Sequence, residues 1–319
     1  MQELAKRFVP AADEVGYLQS QKGPECDLFR TLAEQGHYAG RTQPTNTRQG
    51  IYAAAPSGVL LASINTRNPR EMAAMLRRAL EKWEGLGREE RGLASDPAER
   101  PEARRRLEEF YPEGGLVLRL ASRDLPRDGG ALPKDWRAEA FNLDFAWFRK
   151  EEARALLPET LEAGARREVP APLLRRLVRL HLVDNVRGQT VPYEEKHIQE
   201  AALTVEVLAI DGAMVTARFA GRSRTLAEGA WAVEGSGRPV PTARGYDAKL
   251  SGHARFDTGT GRFVEFELVA EGTRHGATQY NCRTDDPGPA PMGVVFTLAG
   301  PKERVAPAFA WSYHWPAPR

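Results

Sequence analysis

The sequence predicts an α+β protein, with an N-terminal α/β domain followed by a mainly antiparallel β domain that carries a packed helix. Residues 50–83 are typical of two strands and a helix, whereas the chain after residue 203 alternates polar and apolar residues through several strands. A charged segment with several prolines separates these two patterns. Since 319 residues can form two cores, we predict domains at residues 1–86 and 115–319, joined by a charged linker with a helix at residues 87–114.

The first domain contains a predicted helix that begins after Asn68. Asn68 can cap this helix, Pro69 suits its first position, and Glu71 can bond back to the cap. Residues 51–55 and 59–64 flank a Pro-Ser-Gly turn before the helix, which predicts a β-hairpin. The apolar residues that recur with helical spacing are Met72, Met75, Leu76, Ala79, Leu80 and Trp83.

Cys26 is the candidate catalytic residue of this domain. It follows Gly23, Pro24 and Glu25 at the start of a predicted helix, where proline suits the first position. Unpaired backbone N–H groups and the helix dipole at such a start favour the thiolate over the thiol. The residues after Cys26 include no second cysteine at the spacing of a Cys-x-x-Cys pair.

A cysteine at a helix start, followed by a hairpin and a helix, resembles the closing half of a thioredoxin-like domain. The resemblance covers residues 8–86, and Pro44-Thr45 is similar to the proline–threonine pair that precedes the hairpin in that family. It implies a thioredoxin-like fold and a one-cysteine redox or thiol-transfer chemistry at Cys26, with protein or small-molecule thiols and disulfides as partners. Together with its β-rich half, the chain resembles uncharacterised bacterial proteins that are often exported.

The second half contains one predicted helix and several predicted strands. The helix follows Pro170 and Pro172 and places His181 on its apolar face, where we expect a core histidine. Orientation of His181 by Asp184 for acid–base work is the alternative. We expect the strands to form a curved sheet, an open barrel or a sandwich, with the helix packed on one face. Strands are predicted near residues 116–120, 203–207, 214–219, 249–256, 262–270 and 294–298.

A polar loop at residues 275–289 supplies the candidate binding residues of the second half. Its carboxylates and amide suit a hard cation, while its imidazole and thiol suit zinc or copper. Neither set has a recognised ligand spacing, so a loop closed by its own hydrogen bonds is the competing interpretation, and metal and cofactor stay unassigned. The candidate residues are His275, Asn281, Cys282, Asp285 and Asp286.

Composition narrows the classes of partner and compartment. The chain has 45 basic and 43 acidic residues, and the resulting net charge of +2 predicts no nucleic-acid partner. No apolar run reaches the length of a membrane span, so none is predicted. Two cysteines are too few for a disulfide scaffold. The opening residues lack the apolar stretch of a signal peptide, so we expect export only if such a peptide has been removed.

Two functions are consistent with these residues. The first is a thiol-based redox or thiol-transfer protein that acts through Cys26. The alternative is a non-enzymatic binding or interaction protein, with a degenerate thioredoxin-like domain and a β domain that holds a ligand. The sequence contains no Gly-rich phosphate loop, no Gly-x-Ser-x-Gly elbow and no His-Glu-x-x-His motif, which disfavours nucleotide-driven chemistry and the commonest hydrolases.

Overall fold

The structure, a computed structural model, divides the chain into two compact units. Unit 1 is Met1–Arg105 and unit 2 is Arg106–Arg319. The predicted domains at residues 1–86 and 115–319 lie one in each unit. The structure describes residues 2–12, 15–20, 22–38, 48–66, 68–93, 107–127 and 135–315.

Unit 1 consists of helices and one β-hairpin within the described residues. The hairpin pairs β1 (Ile51–Ala54) with β2 (Leu60–Ile64) in antiparallel register. The helices are α1 (Gln2–Ala5), α2 (Val15–Ser20), α3 (Pro24–Gln35), α4 (Pro69–Gly85) and α5 (Arg88–Arg91). One face of α4 packs on the hairpin and forms a small core, whose buried members are Ala53, Leu61, Met75, Leu76 and Ala79.

The predicted hairpin and the predicted helix after Asn68 are confirmed. The Asn68 side chain accepts a hydrogen bond from the Arg70 N–H at 2.9 Å, and Pro69 lies in the first turn of α4. This bond satisfies one of the N–H groups that every helix start leaves without an intrahelical partner. The helix continues to Gly85, just beyond Trp83, the last residue of the predicted apolar face.

Unit 2 contains one large antiparallel sheet of eight strands. Across the sheet their order is β4-β3-β10-β9-β8-β7-β6-β5, numbered along the chain as β3 (Leu116–Asp124), β4 (Phe141–Phe148), β5 (Arg166–Glu168), β6 (Ile198–Asp211), β7 (Met214–Ala232), β8 (Pro239–Asp257), β9 (Arg262–His275) and β10 (Ala290–Leu298). Every neighbouring pair is antiparallel. The accompanying helices are α6 (Trp136–Glu139), α7 (Lys150–Ala155) and α8 (Ala171–His181), with 3₁₀ turns at Leu107–Phe110, Glu195–His197 and Ala310–Tyr313.

The sheet curves around α8. This helix contacts both β4 and β6, although five other strands separate those two in the sheet order. In a flat sheet, six spacings of about 4.8 Å would place β4 and β6 roughly 29 Å apart, too far for one helix to touch both. The predicted mainly antiparallel sheet is confirmed, and the contacts of α8 favour a curved sheet over a sandwich, which needs two facing sheets.

The inner face of the sheet is apolar along most of its length and polar at one end. Alternate side chains of β3 point to this face, first Leu116, Leu118 and Leu120, then Ser122 and Asp124. The polar end therefore places charged groups in the interior of unit 2. The buried apolar residues of α8 that pack in the same core are Leu173, Leu174, Leu177 and Val178.

Some sequence-based expectations fall outside the described residues. Pro44-Thr45, the pair that resembles the thioredoxin-like motif, is one of them. Residues 94–106 of the predicted linker are also not described, and Leu107–Phe110 at its described end forms one 3₁₀ turn. In the part of the chain that is described, no helix has the length and apolar character needed to cross a membrane.

Candidate functional site

Cys26 lies in the first turn of α3, at the helix start that the sequence predicts, and its side chain is 0% exposed. Gly23 precedes the helix with a φ of 144°, which favours glycine, and Pro24 follows it. The thiol forms no disulfide. Because a nucleophilic cysteine must reach its substrate, chemistry at Cys26 requires the start of α3 to open.

The imidazole and the amide of the polar loop have separate surroundings. His275 is the last residue of β9, where burial lowers its pKa and the charge of Arg274 lowers it further. Asn281 is buried and accepts a hydrogen bond from the Thr278 N–H at 2.8 Å. Its side-chain nitrogen donates to the Gly276 carbonyl at 3.3 Å, so this amide closes the loop.

The thiol and the two carboxylates of the loop also have separate surroundings. Cys282 forms no disulfide and has a φ of 52°, a left-handed conformation that is uncommon outside glycine. Asp285 forms an ion pair with Arg137 at 2.9 Å, and Asp286 forms one with Arg127 at 2.5 Å. Within the described ranges, no three or more His, Cys, Asp or Glu side chains are grouped so that they could hold a metal ion.

The polar end of unit 2 holds a buried charge cluster, which the sequence analysis missed. Arg283 is fully buried and donates two hydrogen bonds to Asp124 and two to Asp184, each at 2.8 Å. Arg187 lies 2.8 Å from a carboxylate oxygen of Asp124. Three buried arginines and three aspartates form the cluster, and Arg127 adds a fourth arginine beside Asp286. Its members are Asp124, Asp184, Asp286, Arg187, Arg274 and Arg283.

Neighbouring arginines keep two aspartates of the charge cluster ionised. Burial by itself raises the pKa of Asp124, but hydrogen bonds from Arg283 and the charges of the three cluster arginines outweigh burial and lower it. Burial likewise opposes ionisation of Asp286, whose pKa is nevertheless lowered by Arg127 and Arg274. Arg127, whose side chain is partly exposed, extends this network of ion pairs from Asp286 toward the surface of unit 2.

His181 lies in the core, as the sequence predicts, with partners other than Asp184. Its Nε2 is 2.7 Å from the Tyr313 hydroxyl, and its Nδ1 is 3.5 Å from a carboxylate oxygen of Asp144. The Tyr313 hydroxyl also accepts a hydrogen bond from the Trp147 N–H at 3.1 Å. Tyr313 thus joins the C-terminal segment, residues 308–315, to α8 and to the edge strand β4. Asp184 belongs instead to the charge cluster.

Unit 1 contains a cavity that no sequence pattern predicted. It has a volume of about 330 Å³ and is lined by residues 35–37, residues 60–63 and Lys82. The end of α3, the strand β2 and one side chain of α4 form its wall. Gly36 permits the close approach of α3 to β2, because a Cβ at this position would lie 2.4 Å from the Ser63 hydroxyl oxygen.

The wall of the cavity is polar and carries one cation. Lys82 Nζ donates a hydrogen bond to the Leu60 carbonyl at 2.6 Å, and the His37 N–H donates one to Ser63 Oγ at 2.9 Å. The His37 ring stacks on that of Tyr52, with centroids 5.1 Å apart. No carboxylate is among the described lining residues. The Lys82 ammonium group and the Ser63 hydroxyl on this wall suit a ligand that accepts hydrogen bonds and carries negative charge.

One member of the charge cluster has a sequence signal that could have revealed it. The period-two pattern of β9 directs Leu268 and Ala270 inward, and its continuation directs Arg274 inward as well. The cavity has no comparable signal, because its wall comes from three separate segments of unit 1.

Comparison of the chain with protein-family models, curated proteins and solved structures found no match. The resemblance of residues 8–86 to thioredoxin-like domains therefore rests on the sequence pattern alone. A redox role for Cys26, and a binding role for the polar loop at 275–289, stay predictions.

Proposed function

We propose that this protein is a binding protein whose ligand site is the polar cavity of unit 1. The cavity wall itself carries the proposal, since residues 60–63, His37 and Lys82 border a space of about 330 Å³. This volume lies within the range of about 300–1,000 Å³ that small-molecule sites occupy. Lys82 has no carboxylate beside it among the described lining residues, which favours an anionic ligand.

The burial of Cys26 favours binding over thiol chemistry. Its side chain is 0% exposed, whereas the cavity is open to solvent. A thiol-based redox or thiol-transfer function is the second candidate, because the first turn of α3 is a place where backbone N–H groups favour a thiolate.

An NMR titration of the ¹⁵N-labelled full chain with succinate tests the proposed site. We expect the amide signals of residues 35–37 and 60–63 to shift, because a carboxylate held by Lys82 lies beside them. Lys82→Gln should remove these shifts, while Cys26→Ala and the control Arg77→Gln should retain them, since Arg77 is exposed on α4 and does not line the cavity. Shifts that are absent from the wild-type spectra, or unchanged in Lys82→Gln, contradict the proposal.

Alkylation of the folded protein separates the thiol function from the binding function. We expect iodoacetamide to modify Cys26 more slowly than Cys282, because Cys282 is the partly exposed thiol of the two. Peptide mass spectrometry measures both rates in one sample, and urea-unfolded protein provides the control in which burial is lost. Faster modification of Cys26 than of Cys282 in the folded chain would favour the thiol function over the binding function.

A further inference from the structure

The cavity of unit 1 runs along the edge of β2. Successive side chains of a strand point to opposite faces, so a cavity over one face would be lined by alternate residues. Four consecutive residues, 60–63, line this one. A ligand in the cavity therefore lies beside the main-chain N–H and C=O groups of the strand.

The strand β2 lies at an edge of its sheet. Within the described residues, β2 belongs to a two-stranded sheet in which it pairs with β1. Lys82 donates a hydrogen bond to the Leu60 carbonyl on β2. Lysine at a sheet edge is one of the ways in which proteins prevent uncontrolled strand pairing. Exposed sheet edges bind extended peptides through main-chain hydrogen bonds.

The charge beside this edge selects for acidic side chains. At one end of the cavity the Lys82 ammonium group donates a hydrogen bond to the Leu60 carbonyl. At the Ser63 end the His37 N–H donates one to the Ser63 hydroxyl oxygen. A lysine ammonium group has three N–H donors, and the Leu60 carbonyl occupies one of them. The others can form charge-assisted hydrogen bonds with a carboxylate.

We propose that the cavity binds an extended acidic peptide, which adds a strand to β2 and places a carboxylate beside Lys82. A segment of about four residues spans roughly 13 Å, which matches the four lining residues of β2. This inference rests on the proposed function, because it names the ligand class of the same cavity. A peptide uses both the strand edge and the cation, whereas a small carboxylate uses the cation alone.

Three hexapeptide probes with blocked ends and an uncharged fluorophore test the inference on the full chain by fluorescence polarisation. The first alternates valine and glutamate, the second replaces glutamate by lysine, and the third repeats the first with alternate main-chain nitrogens methylated. We expect the first to bind and the other two to bind at least about tenfold more weakly, since each lacks one class of contact. These comparisons leave the protein unchanged, so folding does not affect them.

Protein variants locate the binding at β2. Lys82→Gln should weaken the valine–glutamate probe by about tenfold, as expected for one lost charge-assisted bond, while Arg77→Gln should change its affinity by less than about twofold. Thermal melting of each variant verifies folding. Bound probe should also slow hydrogen exchange at residues 60–63 of the wild-type chain.

The outcomes distinguish this inference from the proposed function. If succinate shifts the cavity amides and the valine–glutamate probe does not bind, the ligand is a small anion and the peptide inference is wrong. Equal affinity for the first probe and its methylated form also overturns strand addition. If neither succinate nor the probe affects residues 35–37 and 60–63, both proposals fail.

Discussion

Arg283 connects parts of the chain that are far apart in sequence. It bonds Asp124 at the end of β3, 159 residues away, and Asp184 after α8, 99 residues away. The fully buried guanidinium has its donors directed at two carboxylates, so the opposite charges compensate each other. Such a set stabilises a fold only while it is complete, because removal of one member leaves uncompensated charge in the interior.

We therefore expect Arg283→Met to destabilise unit 2 strongly. The substitution leaves Asp124 and Asp184 without their main counter-charge, and loss of one partner of a buried ion pair costs about 3–5 kcal/mol. Urea unfolding monitored by tryptophan fluorescence measures the change in the free energy of unfolding.

The matched control removes an exposed ion pair from the same unit. Arg255 lies 2.9 Å from Glu265, and both side chains are about half exposed. Arg255→Met should cost less than about 1 kcal/mol, since water screens the pair. Equal effects of the two substitutions would show that the buried cluster contributes no more than a surface pair.

The charge cluster could not be predicted from the sequence, for a physical reason. Asp124, Asp184, Arg274 and Arg283 come from four segments, and each segment taken alone is also typical of an exposed loop or strand end. The pairing of β3 with β10 and of β10 with β9 brings Asp124 near Arg274, while Asp184 comes from the segment after α8 and Arg283 from the loop after β9. Cys26, by contrast, was placed correctly at a helix start by the local Gly-Pro signal, but its burial depends on packing that no local pattern contains.

At the scale of elements, the C-terminal segment covers the second half of the edge strand β4. The Ala308 N–H donates to the Asp144 carboxylate at 2.7 Å, and the Trp147 N–H donates to Tyr313 at 3.1 Å. Earlier on the strand, Phe141 is 61% exposed. The aromatic side chains of this strand are therefore buried only where the C-terminal segment covers it, which also protects part of an open sheet edge.

Loss of the Tyr313 hydroxyl should weaken this cover. Tyr313→Phe leaves the Trp147 N–H and the His181 imidazole without their shared partner, and an unsatisfied buried polar group costs about 1–3 kcal/mol. Hydrogen exchange at the Trp147 amide should become faster, by an amount that NMR or mass spectrometry can measure. Tyr280→Phe is the control, because Tyr280 is half exposed; the same effect in both variants would contradict the bond's role.

The strands were predicted more reliably than their lengths. Alternation located β7 at residues 214–219, but the strand continues to Ala232. The inward positions beyond Phe219 are Gly221, Ser223 and Thr225, which do not carry the apolar signal that defines a buried face. Pairing with β8 nevertheless continues along this stretch, so the backbone ladder extends the strand where hydrophobic patterning ends.

At the scale of the whole molecule, each described hydrophobic cluster lies within one unit. The α4–hairpin core involves residues 4–86, and the core around α8 involves residues 116–298. The charge cluster and the cover of β4 belong to unit 2, while Cys26 and the polar cavity belong to unit 1. Since each unit has its own core, we expect each to unfold by its own local equilibrium.

Hydrogen exchange of two variants of the full chain tests this independence. Asn68→Ala removes the cap of α4 and should cost unit 1 about 1 kcal/mol, which speeds exchange in α4 about fivefold and leaves β7 and β8 unchanged. Arg283→Met should have the opposite pattern, with faster exchange in β7, β8 and β9 and an unchanged exchange rate in α4. Each variant is the control for the other. If either substitution speeds exchange equally in both units, the two cores unfold as one cooperative structure, because only a shared unfolding step transmits a local loss of stability across the whole chain.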